Sequence, residues 1–140
     1  DVLEAFEVFL REIVRAGNSI VVPTPAYMPF LSVPRLYGVE VLEIPMLCAG
    51  AGESSGRNDE WLFDFDAIEH AFAAGCHAFV LCNPHNPIGK VLTLAEEQRL
   101  CELAERYDVR ISMMRFTRRS CSRGVIFRIR PSARRPLGSL

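Results

Sequence analysis

Two proline-rich segments of the chain carry side chains that could hold a flat ligand. PTPAYMPF, residues 23–30, places Tyr27 among three prolines, and CNPHNPIGK, residues 82–90, places Asn83 and Asn86 directly before prolines. Proline fixes its own φ and restricts the residue before it, so both segments are expected to be stiff. A stiff loop can present an aromatic platform or a neutral amide donor to a ligand at low entropic cost.

Such residues also have common structural roles. An aromatic residue in a proline-rich loop more often packs than binds, and an asparagine before proline is usually a turn residue. The three histidines lack the spacing of metal ligands, so no metal site is expected. Asp64 and Asp66 could form an acid–base pair, but a helix N-terminus explains them more simply. The absence of a CxxC pair favours reduced thiols, mostly filling the core, at Cys48, Cys76, Cys82, Cys101 and Cys121.

The elements that must position the two loops follow from hydrophobic periodicity. Short apolar or β-branched runs predict strands at residues 19–23, 39–45, 77–82 and 109–112. Amphipathic or capped segments predict helices at residues 3–13, 64–74 and 93–107. Thr93 and Glu96 form a predicted capping box at the start of the last helix. This alternation predicts an α/β fold, a partial parallel or mixed sheet with flanking helices, whose ligands bind beyond the carboxyl ends of the strands.

The order of three sequence motifs along the chain narrows the range of possible functions. PAYMPF, DFDAIEHAF and LCNPHNPIGKVLT, followed by a helix and an incoming strand, resemble the fold-type-I enzymes that use pyridoxal 5'-phosphate (PLP). The resemblance is to the cystathionine β-lyase (carbon–sulfur lyase) branch, near the class I/II aminotransferases. It implies that residues 1–112 are the central part of a PLP-dependent transferase-like large domain.

The resemblance also implies the roles of two residues. In this family the aromatic residue of the PAY element stacks on the pyridine ring of PLP, which makes Tyr27 a cofactor-binding residue. The asparagine of the NPxG element hydrogen-bonds the phenolic oxygen of the ring, which makes Asn86 the second one. Stacking would hold the plane of the cofactor, and a neutral donor would stabilise its anionic oxygen. An intact relative would be a homodimer that removes the α-proton of cystathionine or a related amino acid and eliminates a thiol, leaving pyruvate and ammonia.

The chain departs from the family pattern after the fourth predicted strand. Relatives carry Asp-Glu-Ile-His there, with the Asp pairing to the pyridine nitrogen, whereas this chain reads ISMMRFTRR. Methionine has a single codon, so Met113 and Met114 are encoded ATGATG, and stepping back one base yields an Asp codon followed by one compatible with Glu. A frameshift at about Ser112 would explain the lost motif and the tail without acids. A naturally basic arm is the alternative.

The lysine content argues against catalysis by this chain alone. Covalent catalysis with PLP needs a lysine for the Schiff base, and Lys90 is the only lysine present. In the resemblance Lys90 is the loop lysine after NPxG, and the Schiff-base lysine lies further along the fold. We therefore expect no catalytic residue here and interpret the chain as an inactive fragment of a carbon–sulfur β-lyase. A fragment of a class I/II aminotransferase is the near alternative.

Charge is divided unevenly along the chain. Residues 1–112 hold 17 acids and eight bases, whereas residues 113–140 hold eight arginines and no acid. We expect residues 113–140 to be an aberrant, disordered tail, because its arginines repel one another and no apolar face repeats. The alternative from another functional class is a non-catalytic protein whose basic tail binds polyanions by charge attraction. No specific nucleic-acid partner is expected.

The apolar residues occur in short runs. None approaches the roughly 20 apolar residues of a membrane helix, and no signal peptide is recognisable at the start of the sequence. A cytoplasmic location without membrane contact is therefore expected.

Overall fold

A five-stranded sheet lies at the centre of the computed structural model, which describes residues 2–49, 60–115 and 123–127. The strands along the chain are β1 (Ser19–Thr24), β2 (Glu40–Pro45), β3 (Leu47–Ala49), β4 (Glu60–Leu62), β5 (Ala78–Cys82), β6 (Arg110–Arg115) and β7 (Arg123–Phe127). The main sheet has the order β2-β1-β5-β6-β7, in which only the β6–β7 pair is antiparallel. The four predicted strands are confirmed, and so is the α/β fold with a partial mixed sheet.

Helices cover both faces of this sheet. They are α1 (Val2–Val8), which continues as a π-helix over Phe9–Val14, then α2 (Pro29–Leu36), α3 (Phe65–Ala73) and α4 (Leu94–Arg106). Asp64 accepts the backbone N–H of Ala67 at 2.9 Å, so it is the N-cap of α3. The predicted capping box of Thr93 and Glu96 opens α4. None of the helices among the described residues is long and apolar enough to cross a membrane.

The core consists of two apolar layers, one on each face of the sheet. Strand β5 is buried along its whole length because it contributes to both layers. Phe79 and Leu81 pack with α3 and α4, whereas Val80 and Cys82 pack with α1 and α2. This central strand therefore ends in a fixed position, at the edge where the second proline-rich loop begins.

The cysteines fill the core less completely than expected. Cys76 and Cys82 are buried, and burial raises the pKa of both thiols, that of Cys76 to about 11. Cys48 is half-buried and Cys101 is exposed, while Cys121 lies outside the described residues. The expectation of core filling therefore holds for the two cysteines beside or within β5.

The arginine-rich segment, residues 113–140, contributes the end of β6 and the whole of β7 to the main sheet. Residues 113–115 complete β6, and β7 pairs with it from Ile111–Phe127 to Arg115–Arg123. Residues 116–122 and 128–140 lie outside the described residues. The expected disorder of the tail stays a prediction for those residues.

Candidate functional site

The two proline-rich loops lie side by side at one edge of the sheet. They leave the carboxyl ends of β1 and β5, which are neighbouring parallel strands. His85 Nε2 lies 2.9 Å from the carbonyl oxygen of Pro25, so a side chain of the second loop is bonded to the backbone of the first. Tyr27 lies in the first of these loops and Asn86 in the second, and each loop follows a strand end as predicted.

Tyr27 is fixed by aromatic packing below its loop. Its ring makes an edge-on contact with Phe30, with 5.5 Å between ring centroids, and Phe30 in turn contacts Phe6 of α1 at 5.2 Å. Tyr27 is half-buried and packs against the core layer on the α1 and α2 side. The rigid support of the ring comes from α2, whose first two residues, Pro29 and Phe30, end the proline-rich segment.

Asn86 lies in the middle of the second loop. Its side chain is half-buried, and its amide forms no hydrogen bond with any described residue. The loop around it is closed by backbone bonds from the N–H of His85 to the carbonyl of Lys90, 2.7 Å, and from the N–H of Gly89 to the carbonyl of His85, 2.6 Å. An amide held on a closed turn with open hydrogen-bonding capacity suits a ligand oxygen.

Asn83 has a structural role in the same loop. It is buried, its side-chain nitrogen donates to Glu97 Oε1 at 3.1 Å, and its side-chain oxygen accepts the N–H of Leu92 at 3.3 Å. Its backbone N–H donates to the carbonyl of Met114 at 3.0 Å. Asn83 therefore attaches the loop to the start of α4 and the end of β6, whereas Asn86 is the asparagine that lies in a turn.

His85 is a functional candidate that sequence reasoning missed. Its side chain is 2% exposed, and Nδ1 has no hydrogen-bond partner among the described residues. Because a carbonyl oxygen can only accept, Nε2 carries the proton and donates to Pro25. The ring also meets Phe63 edge-on, 6.3 Å between centroids, beneath the loops. No spacing rule in the sequence relates His85 to Pro25, which lies sixty positions away.

Lys90 is engaged in an ion pair rather than directed at a ligand. Its Nζ lies 2.8 Å from Glu96 Oε1, and the two side chains are only 10% and 13% exposed. Burial alone would raise the pKa of Glu96, but hydrogen bonds from Lys90 and Thr93 outweigh burial and lower it. The only lysine of the chain is therefore held at the start of α4 as a salt-bridge partner.

Two methionines lie near the end of β6, in the stretch where the resemblance implies Asp-Glu. Met113 and Met114 pair with Leu81 and Cys82 of β5, and Met114 is buried in the core layer that includes Tyr27. A thioether cannot form a charged hydrogen bond to a pyridine nitrogen. Tyr27 and Asn86 thus provide an aromatic ring and a side-chain amide that suit a planar ligand such as PLP, whereas Met113 and Met114 provide no acid for its ring nitrogen.

Comparison with known proteins agrees with these features. Residues 3–112 match the family model of aminotransferase class I and II. Cystathionine β-lyase of Corynebacterium glutamicum is 32% identical over 111 residues, which is 79% of this chain and 26% of that protein. Kynurenine–oxoglutarate transaminase 3 of Bos taurus is 26% identical over 99 residues, 71% of this chain and 22% of that protein.

The fold is also similar to that of solved protein structures. A PLP-bound structure from Clostridium difficile 630, assigned as an aminotransferase, superposes with a TM-score of 0.71 at 28% identity, over 81% of this chain and 27% of that one. The chain spans about a quarter of the length of these proteins. It belongs to the aminotransferase class I and II family, whose members use PLP.

Proposed function

We propose that this chain forms one side of the cofactor site of a PLP-dependent carbon–sulfur β-lyase of the cystathionine β-lyase type. The observation that carries the proposal is the bond between His85 and Pro25, which joins the loop of Tyr27 to the loop of Asn86 at the carboxyl edge of the sheet. Ligands of open α/β sheets bind at this edge. The likeness to a cystathionine β-lyase supports the choice of reaction.

Tyr27 and Asn86 would hold different features of the same ring. A tyrosine ring fixed edge-on by Phe30 can stack its face on a planar cofactor. The unbonded amide of Asn86 can donate to an anionic oxygen on the cofactor's rim. When bound, PLP supplies an electron-withdrawing ring that stabilises negative charge on the α-carbon of an amino acid.

We propose that the chain is inactive by itself. Its lysine is paired with Glu96 inside the protein, 2.8 Å away, so it is poorly placed to attach the cofactor covalently. Met113 and Met114 stand in the stretch where the family carries Asp-Glu, and they provide no acid that could pair with the ring nitrogen. An intact protein of this kind would act on a sulfur amino acid as a homodimer in the cytoplasm.

The proposal is tested in a repaired protein, with the reading frame restored after Ser112 and the remaining parts of the family fold supplied. Asn86→Ala should weaken PLP retention by about twofold to tenfold or more, since one neutral hydrogen bond contributes about 0.5–1.5 kcal/mol and a bond to an anionic oxygen contributes more. Tyr27→Ala should lower both PLP affinity and turnover of cystathionine. Affinity is measured by titration of PLP absorbance and turnover by pyruvate release.

Two matched controls remove the same residue types from other places. Asn18 bonds to the carbonyl of Val14, and Tyr107 bonds to Glu69 at 3.0 Å, both away from the strand-end loops. Asn18→Ala and Tyr107→Ala should leave PLP affinity unchanged. If the repaired protein binds PLP and Tyr27→Ala and Asn86→Ala leave affinity, spectrum and rate unaltered, the roles of these two residues are wrong.

An aminotransferase of the same fold is the second candidate. The likeness to kynurenine–oxoglutarate transaminase 3 favours it, and Tyr27 and Asn86 would serve both reactions. The repaired protein separates the two activities. Pyruvate formed from cystathionine without any added 2-oxo acid supports the lyase, whereas conversion of an added 2-oxo acid to its amino acid supports the transaminase.

A further inference from the structure

The loop from β5 to α4 is attached to its surroundings at both ends. Asn83 begins the loop and Lys90 closes its inner turn, with Asn86 between them. Each of these two anchoring residues contacts a different carboxylate of α4. The two carboxylates belong to Glu96 and Glu97, which are adjacent in the first turn of that helix.

Helix capping explains only part of this arrangement. Glu96 Oε2 accepts the N–H of Thr93 at 2.9 Å and its hydroxyl at 3.0 Å, which completes the capping box. Its other oxygen, Oε1, is left for Lys90. Glu97 has no part in the capping box, and its described bond goes to the side chain of Asn83. One oxygen of each glutamate is therefore directed at the loop.

The ion pair between Lys90 and Glu96 is largely buried, unlike the ion pairs on the surface of the protein. Long charged side chains are rarely buried unless paired, and removing one partner leaves a costly buried charge. Lys90 is 10% exposed and Glu96 is 13% exposed, so the pair is confined beneath the loop. Exposed ion pairs on the same protein, such as Arg106 with Glu69, have no such confinement.

We propose that Glu96 and Glu97 are positioning residues that fix Asn86, by holding Lys90 and Asn83 at the two ends of its loop. This inference rests on the proposed function for its purpose, because Asn86 is the residue assigned to the cofactor. The placement of the Asn86 amide is nevertheless a property of this chain and is measurable without cofactor.

The test uses the 140-residue chain and nuclear magnetic resonance. Lys90→Met and Glu97→Ala should each shift the side-chain amide signals of Asn86. They should also speed hydrogen exchange of the Gly89 and Leu92 amides by about tenfold, the effect of losing one charged hydrogen bond. Lys90→Arg, which retains the cation, should restore signals and exchange rates close to those of the unaltered chain.

Two comparisons separate positioning from general destabilisation. Exchange of the buried β1 amide of Val22 should not change in these variants, whereas a loss of global stability would accelerate it together with the loop. Arg106→Met removes a cation from the exposed pair with Glu69 and should leave Asn86 unshifted. Unchanged Asn86 signals in folded Glu97→Ala and Lys90→Met, or equal acceleration at Val22, would overturn the proposal.

PLP titration of the same variants distinguishes this inference from the proposed function. Loop signals that shift in a chain unable to retain PLP support the positioning role and count against cofactor binding by the chain alone. If the unaltered chain retains PLP and a shifted loop retains it equally well, the positioning role of Glu96 and Glu97 stands and the cofactor role assigned to Asn86 in the proposed function is wrong.

Discussion

His85 is neutral because of its position between the two loops. Burial lowers its pKa from the usual 6.5, and the charge of Lys90 acts in the same direction, against the opposing effect of the Pro25 and Cys82 carbonyls. The unfolded chain therefore binds a proton at a higher pH than the folded chain. The contribution of His85 to stability is complete above pH 6.5 and is lost as the pH falls toward its folded pKa.

The pH dependence of unfolding tests this assignment. The free energy of unfolding should fall more steeply below pH 6.5 in the unaltered chain than in His85→Gln, which cannot be protonated. Urea titrations between pH 7.5 and roughly pH 5 measure the difference. His70→Gln removes an exposed histidine and serves as the control. Parallel pH profiles for the unaltered chain and His85→Gln would show that His85 is not buried in its neutral form.

Lys90 should resist covalent modification by PLP because its amine is held in an ion pair with Glu96. Its amine is confined beside Glu96, so reduction of a PLP mixture with borohydride should label the chain's α-amino group far more than Lys90. Glu96→Gln removes the negative partner and should increase labelling of Lys90. Peptide mapping by mass spectrometry gives the site. Stoichiometric labelling of Lys90 in the unaltered chain, together with lyase turnover, would contradict its role as a salt-bridge residue.

At the scale of elements, α4 depends on its first turn. Thr93 caps the helix through the N–H of Glu96 at 3.2 Å and also orients the carboxylate of Glu96. Thr93→Ala should cost about 1 kcal/mol of unfolding free energy, within the range of about 0.5–2 for lost caps. The midpoint of urea unfolding measures the loss. Ser32→Ala removes an exposed hydroxyl from α2 and should change stability by less than about 0.5 kcal/mol.

An effect of Thr93→Ala no larger than that of Ser32→Ala would show that α4 is held by packing instead. The buried residues Leu100 and Leu103 provide that packing against β5 and its neighbours. The two contributions differ in location, since the cap acts at the loop end of α4 and the leucines act further along it. Loop exchange rates in Thr93→Ala would therefore rise even if global stability changed little.

Local patterns predicted the elements whose signals are unbroken in the sequence. The strands of the parallel sheet and helices α1, α3 and α4 follow from periodicity and capping residues. Helix α2 was missed because Pro29 was assigned to a stiff loop, although proline suits the first turn of a helix. The β3–β4 pair was missed because its strands are only three residues long and are separated by ten residues in the sequence.

The candidate site also combines features that the sequence predicts with contacts that it does not. Topology places the Tyr27 and Asn86 loops at one edge, because neighbouring parallel strands end together. The bonds that fix these loops join residues distant in sequence, as with His85 to Pro25 and Asn83 to Glu97. No spacing rule relates such partners, since their proximity depends on how α4 packs against the sheet. The sequence thus indicated the two loops proposed to face a ligand but not the contacts that support them.

At the scale of the whole molecule, charge separates two parts of the chain. The 17 acids all lie in residues 1–112, and residues 113–140 contain eight arginines without an acid. A cluster of like charges attracts polyanions and releases their counterions, whatever its origin. We therefore expect the full chain to bind heparin and duplex DNA without sequence preference, in spite of its overall net charge of −1.

Salt titration provides the decisive measurement. Replacing Arg128, Arg130, Arg134 and Arg135 by glutamine leaves β7 intact and should weaken binding to duplex DNA. It should also reduce the slope of log affinity against log salt by up to roughly 0.9 for each arginine that contacts a phosphate. Equivalent loss of arginines from residues 1–112, at the exposed positions 11, 35, 99 and 106, should have little effect. Sequence-selective binding that disappears with the four tail arginines would instead favour a nucleic-acid-binding protein, since charge attraction alone cannot distinguish base sequences.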